Sequence, residues 1–271
     1  MAKATTQRKS RKPKSPAPTA TYSAQEILDR LETYYGPREW FARNDPLSEL
    51  IQTVLSQHTS DLNAERSFAE LRKTFGSWES IAHAGMEPLI ASIQSGGLAR
   101  QKGPRIHAIL QEIYARRNEY NISFLQDLPQ KEALTWLTSL NGVGPKTARC
   151  VMLFALGFPC IPVDTHVHRV AKRLGLIGPK VTADQAHDIL EAMVEPDDAY
   201  RFHVHLIEHG RQVCHAQRPE CSICPLQDGC PSNVLKAVET KKVARKAPGK
   251  AITATAKRVG THVGGLTNNE R

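Results

Sequence analysis

The sequence has no apolar run long enough to cross a membrane. The best candidate, residues 150–163, is broken by Gly157, Pro159 and Pro162 and falls short of the ~18 residues a span needs. Residues 1–20 hold no apolar stretch of the kind a secretory signal requires, only Lys3, Arg8, Lys9, Arg11, Lys12 and Lys14 among Ser, Thr and Pro. No run of strict apolar–polar alternation is long enough to argue for a sheet. Cysteine is sparse, with six in 271 residues. A soluble protein of a reducing compartment is therefore expected, cytoplasmic and without a membrane partner, where clustered thiols bind metal more often than they form disulfides.

Charge is present but unevenly placed. The net charge is +9. The first 20 residues carry six basic and no acidic side chains, and residues 231–271 carry nine basic against two acidic. The chain between them is left at −4. Both ends, 1–20 and 232–271, are rich in Pro, Ala, Thr and Lys and read as disordered basic arms. Such arms either keep a protein soluble or raise its local concentration on a polyanion such as DNA.

Between the arms the apolar pattern has helical period nearly throughout, which predicts an all-α fold. Ser23 and Glu26 form a capping box for a helix through Ile27, Leu28 and Leu31 that ends at Gly36-Pro37. Asp45-Pro46 opens a second helix, and a third follows the break at Ser60-Asp61, where Asp61 is the expected cap. Short helices are expected at 78–83 and 88–94, then a long one with Pro104 near its start. Further helices are expected at 130–139, 145–156, 165–174, 183–194 and 199–213. Ten or so short helices predict two packed lobes and not one simple bundle.

Three segments carry chemistry. Cys214, Cys221, Cys224 and Cys230 are spaced C-x6-C-x2-C-x5-C. Structural zinc sites usually use two close pairs, so the wider gaps favour a [4Fe–4S] cluster over zinc. Cys150 and Cys160 read as core residues, and His203, His205, His209 and His215 as surface or packing residues. The second segment, Leu140-Asn-Gly-Val-Gly-Pro-Lys-Thr-Ala148, reads as helix, tight glycine turn, helix. Gly142 and Gly144 let the backbone approach a phosphate, and the N–H groups at the following helix start favour an anion. Either a DNA-gripping hairpin or an ordinary turn between helices fits. In the third, Pro162-Val-Asp-Thr-His-Val-His-Arg-Val170, Asp164 stands where a helix cap belongs. Lys146 and Asp164 thus open two successive helices and can face one cleft, as an amine nucleophile and a carboxylate.

Together these segments resemble the endonuclease III-like DNA glycosylases of the helix-hairpin-helix superfamily over roughly residues 21–231. The resemblance places the nucleophilic lysine at Lys146, the catalytic aspartate 18 residues later at Asp164, and the [4Fe–4S] ligands at Cys214, Cys221, Cys224 and Cys230. It implies a six-helix domain with the hairpin at 41–158 and an iron–sulfur domain built from 21–40 with 159–231. The implied activity is that of a bifunctional DNA glycosylase and abasic-site lyase of base-excision repair. Such an enzyme removes damaged, oxidised pyrimidines from double-stranded DNA and cuts 3′ of the site by β-elimination, here as a nucleoid-associated monomer. In Leu55-Ser-Gln-His-Thr-Ser-Asp61 the family commonly has a glutamine that fills the gap left by the flipped nucleotide; here a gap-free match puts His58 there, with Gln57 one place earlier. Leu98 resembles the apolar wedge on the opposite strand. Gly142, Val143, Gly144 and Thr147 would grip the backbone, and Arg100, Lys102 and Arg169 are candidate phosphate contacts. The cluster loop would present Gln217 and Arg218 to a phosphate. A mismatch uracil or thymine glycosylase of the same superfamily, or a non-catalytic iron–sulfur DNA-binding protein, would share much of this pattern.

Overall fold

The helix starts follow directly from side chains that can satisfy the first free N–H groups. Ser23 and Glu26 exchange both bonds of a capping box, at 3.2 and 2.8 Å, and open α1 (Ala24–Tyr35). Asp45 accepts from the amides of Leu47 and Ser48 and opens α2 (Pro46–Ser56), with Pro46 where its missing N–H costs nothing. The cap of α3 (Asp61–Phe75) is Ser60, whose hydroxyl accepts from Asn63 at 3.4 Å. Asp61, expected as that cap, is instead the first residue inside the helix and pairs with Arg211 at 2.7 Å. α4 (Trp78–Ala82) and α5 (Met86–Ser92) are short, and a 3-10 turn at Gln94–Gly96 leads to α6 (Ala99–Arg117), which absorbs Pro104. Then come α7 (Gln130–Thr138), α8 (Pro145–Phe154), α9 (Thr165–Leu174), α10 (Ala183–Glu191) and α11 (Ala199–Gln212). A second capping box, Thr182 with Gln185, opens α10.

The computed structural model describes residues 21–235. The basic arms expected at 1–20 and 232–271 lie outside these residues, apart from 232–235. Among the described residues the architecture is all helical, with no strand, and no helix is long and apolar enough to cross a membrane.

Two buried apolar clusters organise the helices. The first gathers Leu47 through Cys160 and is centred on Leu50, Ile51 and Val54 of α2, Ile106 and Leu110 of α6, and Val151 of α8. The second joins Ile27, Leu28 and Leu31 of α1 to residues beyond 160, including Val167 and Val170 of α9, Phe202 and Leu206 of α11, and Leu226. The chain passes from one cluster to the other between Cys160 and Ile161. Helix α11 serves both, since Tyr200 and Val204 pack on the first while Phe202 and Leu206 lie in the second. A residue on α11 between those faces is therefore enclosed by both clusters, and His203 occupies such a position.

Candidate active site

The turn between α7 and α8 needs glycine for two reasons. Gly142 has φ +82°, and a Cβ there would run into the Arg105 side chain. Gly144 begins α8 without any side-chain cap, and Pro145 takes the first helical position. The amides at this helix start therefore have no side-chain acceptor, which leaves an anion site in a turn whose glycines are exposed. Val143 points inward, and the buried Thr147 accepts through its hydroxyl from Gln57 Nε2 at 3.3 Å.

Asp164 begins α9 in the opposite manner. Its Oδ1 accepts from the Val167 amide at 2.7 Å, a helix cap that fixes the carboxylate's orientation. The strap before it is clamped from α8 and α10. Arg149, with a side chain only 6% exposed, donates to Glu191 at 2.7 Å and to Asp188 at 2.8 Å. The same Glu191 oxygen accepts from the Ile161 amide at 3.0 Å. Nδ1 of the buried His187 lies 3.1 Å from Val163 N and 2.9 Å from Ile161 O, bonding one or the other according to its tautomer.

Lys146 and Asp164 are both half-buried, and the charges of both act on the buried His203. The Cys150 thiol lies one turn further along α8; burial holds its pKa up, and the charge of Lys146 pulls the other way. The His203 ring meets the Phe154 ring edge-on at 5.5 Å. Burial pushes its pKa down to about 4, against the pull of Asp164 and with the help of Lys146, so the imidazole is neutral. Its Nδ1 has no hydrogen-bond partner. On the other side lie Glu49 and Arg43, paired at 2.6 Å, with Asn44 bridging Glu49 and Gln52. An amine and a capped carboxylate at the starts of two successive helices thus both act on a neutral imidazole buried where the two apolar clusters adjoin. His203 was read from the sequence as a surface or packing residue. The available signal was that α11 carries apolar residues on both sides of it.

Strained backbone marks the surface positions. Among the described residues, four other than glycine have positive φ: His58 (55°), Leu98 (51°), Asn118 (56°) and Arg218 (52°). Asn118 ends α6, where asparagine tolerates the left-handed conformation. The other three are residues that the sequence points to as DNA contacts, and such strain gathers at functional positions. Leu98 is 44% exposed and does not pack as an ordinary helix start. Gln57 is tied inward by Arg105 and Thr147, whereas its neighbour His58 is exposed. Arg100 is exposed and loosely paired with Glu87 at 3.4 Å. Two expected phosphate contacts are corrected. Lys102 is buried, with its ammonium on two carbonyls, and Arg169 donates to the carbonyls of Gly210 and Cys214.

Cys214, Cys221, Cys224 and Cys230 line one cavity of about 30 Å³ together with Arg173 and His209. Burial and the other three thiols raise the Cys224 thiol to about 11, so a positive body among them is what this donor set lacks and would favour. Among the described residues no group of three or more ligating side chains closes on a single metal ion. The four sulfurs instead surround a space, and that donor set fits a cluster. Arg173 donates to Cys214 Sγ at 3.2 Å, and His209 lies 3.6 Å from Cys224 Sγ.

Comparison with known proteins agrees with this geometry. Residues 51–196 match the HhH-GPD superfamily of base excision DNA repair proteins, and residues 214–230 match the iron–sulfur binding domain of endonuclease III. Endonuclease III of Thermotoga maritima is 34% identical over 210 residues, covering 76% of this chain and 90% of that protein. A putative DNA glycosylase of Arabidopsis thaliana is also 34% identical; the match covers 68% of this chain and 64% of the plant protein. Among solved structures, a trapped endonuclease III–DNA covalent intermediate superposes with a TM-score of 0.69 at 27% identity, over 80% of this chain and all of the other. The lysine hairpin and the capped aspartate lie inside the matched superfamily segment, and the four thiols span the matched cluster segment from end to end; the chain belongs to the HhH-GPD superfamily of base excision DNA repair proteins and carries the iron–sulfur binding domain of endonuclease III.

Proposed function

We propose that this base-excision glycosylase is also an abasic-site lyase, that it acts on damaged pyrimidines in double-stranded DNA, and that Lys146 is its nucleophile. The observation that carries the reading is that Lys146 and Asp164, at the starts of two successive helices, both act electrostatically on the buried, neutral His203.

The damaged nucleotide leaves the stack to reach that pocket. His58, exposed on a left-handed backbone, fills the gap, since Gln57 is already engaged by Arg105 and Thr147. Leu98 wedges the opposite strand, and the amides at the start of α8, with Gly142, Gly144 and the Val143 and Thr147 backbone, hold the phosphates. Arg100 adds an exposed charge nearby. The Lys146 amine attacks C1′ of the sugar, the bond to the base breaks, and the departing base takes up the proton that the attacking amine gives up. Asp164 stabilises the positive charge that develops on the sugar. Loss of the amine proton and ring opening give an imine. Removal of a C2′ proton then expels the 3′ phosphate, and water releases Lys146. Cys214, Cys221, Cys224 and Cys230 hold the cluster. When bound, it supplies a rigid cross-link that fixes the loop bearing Gln217 and Arg218. We assign residues 41–158 and residues 21–40 with 159–231 to the two lobes that flank the pocket, and a monomer as the active form.

Incubation with duplexes carrying thymine glycol, uracil or an abasic site, followed by borohydride, is expected to trap a covalent complex in the wild type and none in Lys146→Ala. The duplex that traps best names the lesion class. DNA binding without any trapped complex would overturn the lyase assignment.

A further inference from the structure

Lys102 has no part in the mechanism above, yet it is the largest fully buried side chain among the described residues, at 2% exposure. Burying an ammonium is unfavourable unless acceptors replace its water. Here Nζ donates to Leu55 O at 2.6 Å and to Gly96 O at 2.8 Å. The two carbonyls belong to different elements. Leu55 lies in the last turn of α2, where four carbonyls have no partner within the helix. Ser56 Oγ takes Thr53 O, the Gln57 amide takes Val54 O and the Thr59 amide takes Ser56 O, which leaves Leu55 O for Lys102. The negative end of the helix dipole faces the same ammonium. Gly96 closes the 3-10 turn just before the wedge. It must be glycine, because a Cβ would come within 2.8 Å of Ser67 Oγ, which itself donates to Ile93 O.

The bonds therefore tie together the turn leading into His58 and the turn leading into Leu98, two of the surface sites of left-handed backbone. One turn further along α6, Arg105 repeats the arrangement by donating to Gln57 Oε1 while packing over Gly142 of the hairpin. A methionine would fill the Lys102 space without the cost of burying charge, but it would leave two carbonyls unbonded and the turns untied.

We propose that Lys102 is a positioning residue: its buried ammonium fixes the spacing between the turn that carries His58 and the turn that carries Leu98, so that both side chains enter the duplex as one unit. This rests on the glycosylase reading given above. It follows that Lys102 matters where a base must be displaced and much less where the site is already open.

The test compares two substrates for the holoenzyme and for Lys102→Met: a damaged base within a duplex, and an abasic site within an unpaired loop. Retained visible absorbance of the cluster reports that the variant is folded. Excision from the duplex is expected to fall about tenfold or more while cleavage at the looped abasic site changes by no more than about twofold. Leu98→Ala is expected to lower duplex excision as well, and the double variant to lose less than the product of the two losses. Should Lys102→Met lose its cluster, Lys102→Gln carries the same comparison. Equal losses on both substrates, or multiplicative losses in the double variant, overturn the inference while leaving the glycosylase reading intact. A wild type that acts on neither substrate removes that reading and this inference with it.

Discussion

The first core is assembled from one continuous stretch, residues 47–160, and closes by apolar packing of α2, α6 and α8. The second core joins α1 to residues beyond 160 and relies on much that is polar: the buried His187, His203 and His205, the ion pairs Arg201–Glu32 and Arg38–Glu208, and four thiols around a cavity. The difference teaches where specificity is stored. A core packed from aliphatic side chains tolerates exchange among them, whereas one that depends on satisfied polar groups fails when a single partner is lost.

The largest expected effect on this contrast comes from the tie between the two regions. Arg149→Met removes the partner of Glu191 and the clamp on the strap before Asp164, and is expected to cost about 3 kcal/mol or more in urea denaturation. A loss below about 1 kcal/mol would mean that packing alone holds the regions together. Acid should separate them next. His203 has a pKa of about 4 when folded against 6.5 when free, so the unfolded chain binds more protons between those values and stability falls as pH falls through that window. The drop is on the order of 3 kcal/mol, and His203→Leu should flatten it. Burial shifts His187 and His205 in the same direction, so hydrogen exchange at pH 5 should show α10 and α11 losing protection before α2 and α6. The smallest effect is expected for Arg211→Ala. Its bridge to Asp61 joins α11 to α3 but is exposed at both ends, so a change within about 0.5 kcal/mol is expected by thermal unfolding.

What the sequence revealed followed from local rules. The capping boxes at Ser23 and Thr182, the Asp45 cap and the glycine stops set the helix limits because each acts within four residues. The glycine turn before Lys146, the helix cap at Asp164 and the four-thiol segment were legible through motifs whose spacing is local too. Lys102, Arg149 and His203 were not. Each is a polar residue on a helix, and the sequence does not say whether a second element will cover it. Lys102 read as a phosphate contact because nothing nearby in the chain announces Leu55 O as its partner, 47 residues away. Ser60 and Asp61 are both good caps, and only the backbone geometry chooses between them.

The interrupted composition of the second core has a consequence for how the chain is made. Helix α1 emerges early from the ribosome, but its partners Phe202, Leu206 and Leu226 follow some 170 to 200 residues later. At 5–20 residues per second that interval is roughly 10–40 s, long compared with the folding of a helical unit of local contacts. The first core thus has time to form while Ile27, Leu28 and Leu31 still lack their cover, and docking of α1 with closure of the cysteine loop comes last. The step that completes the repair enzyme thus brings together the first helix to be made and the last thiols.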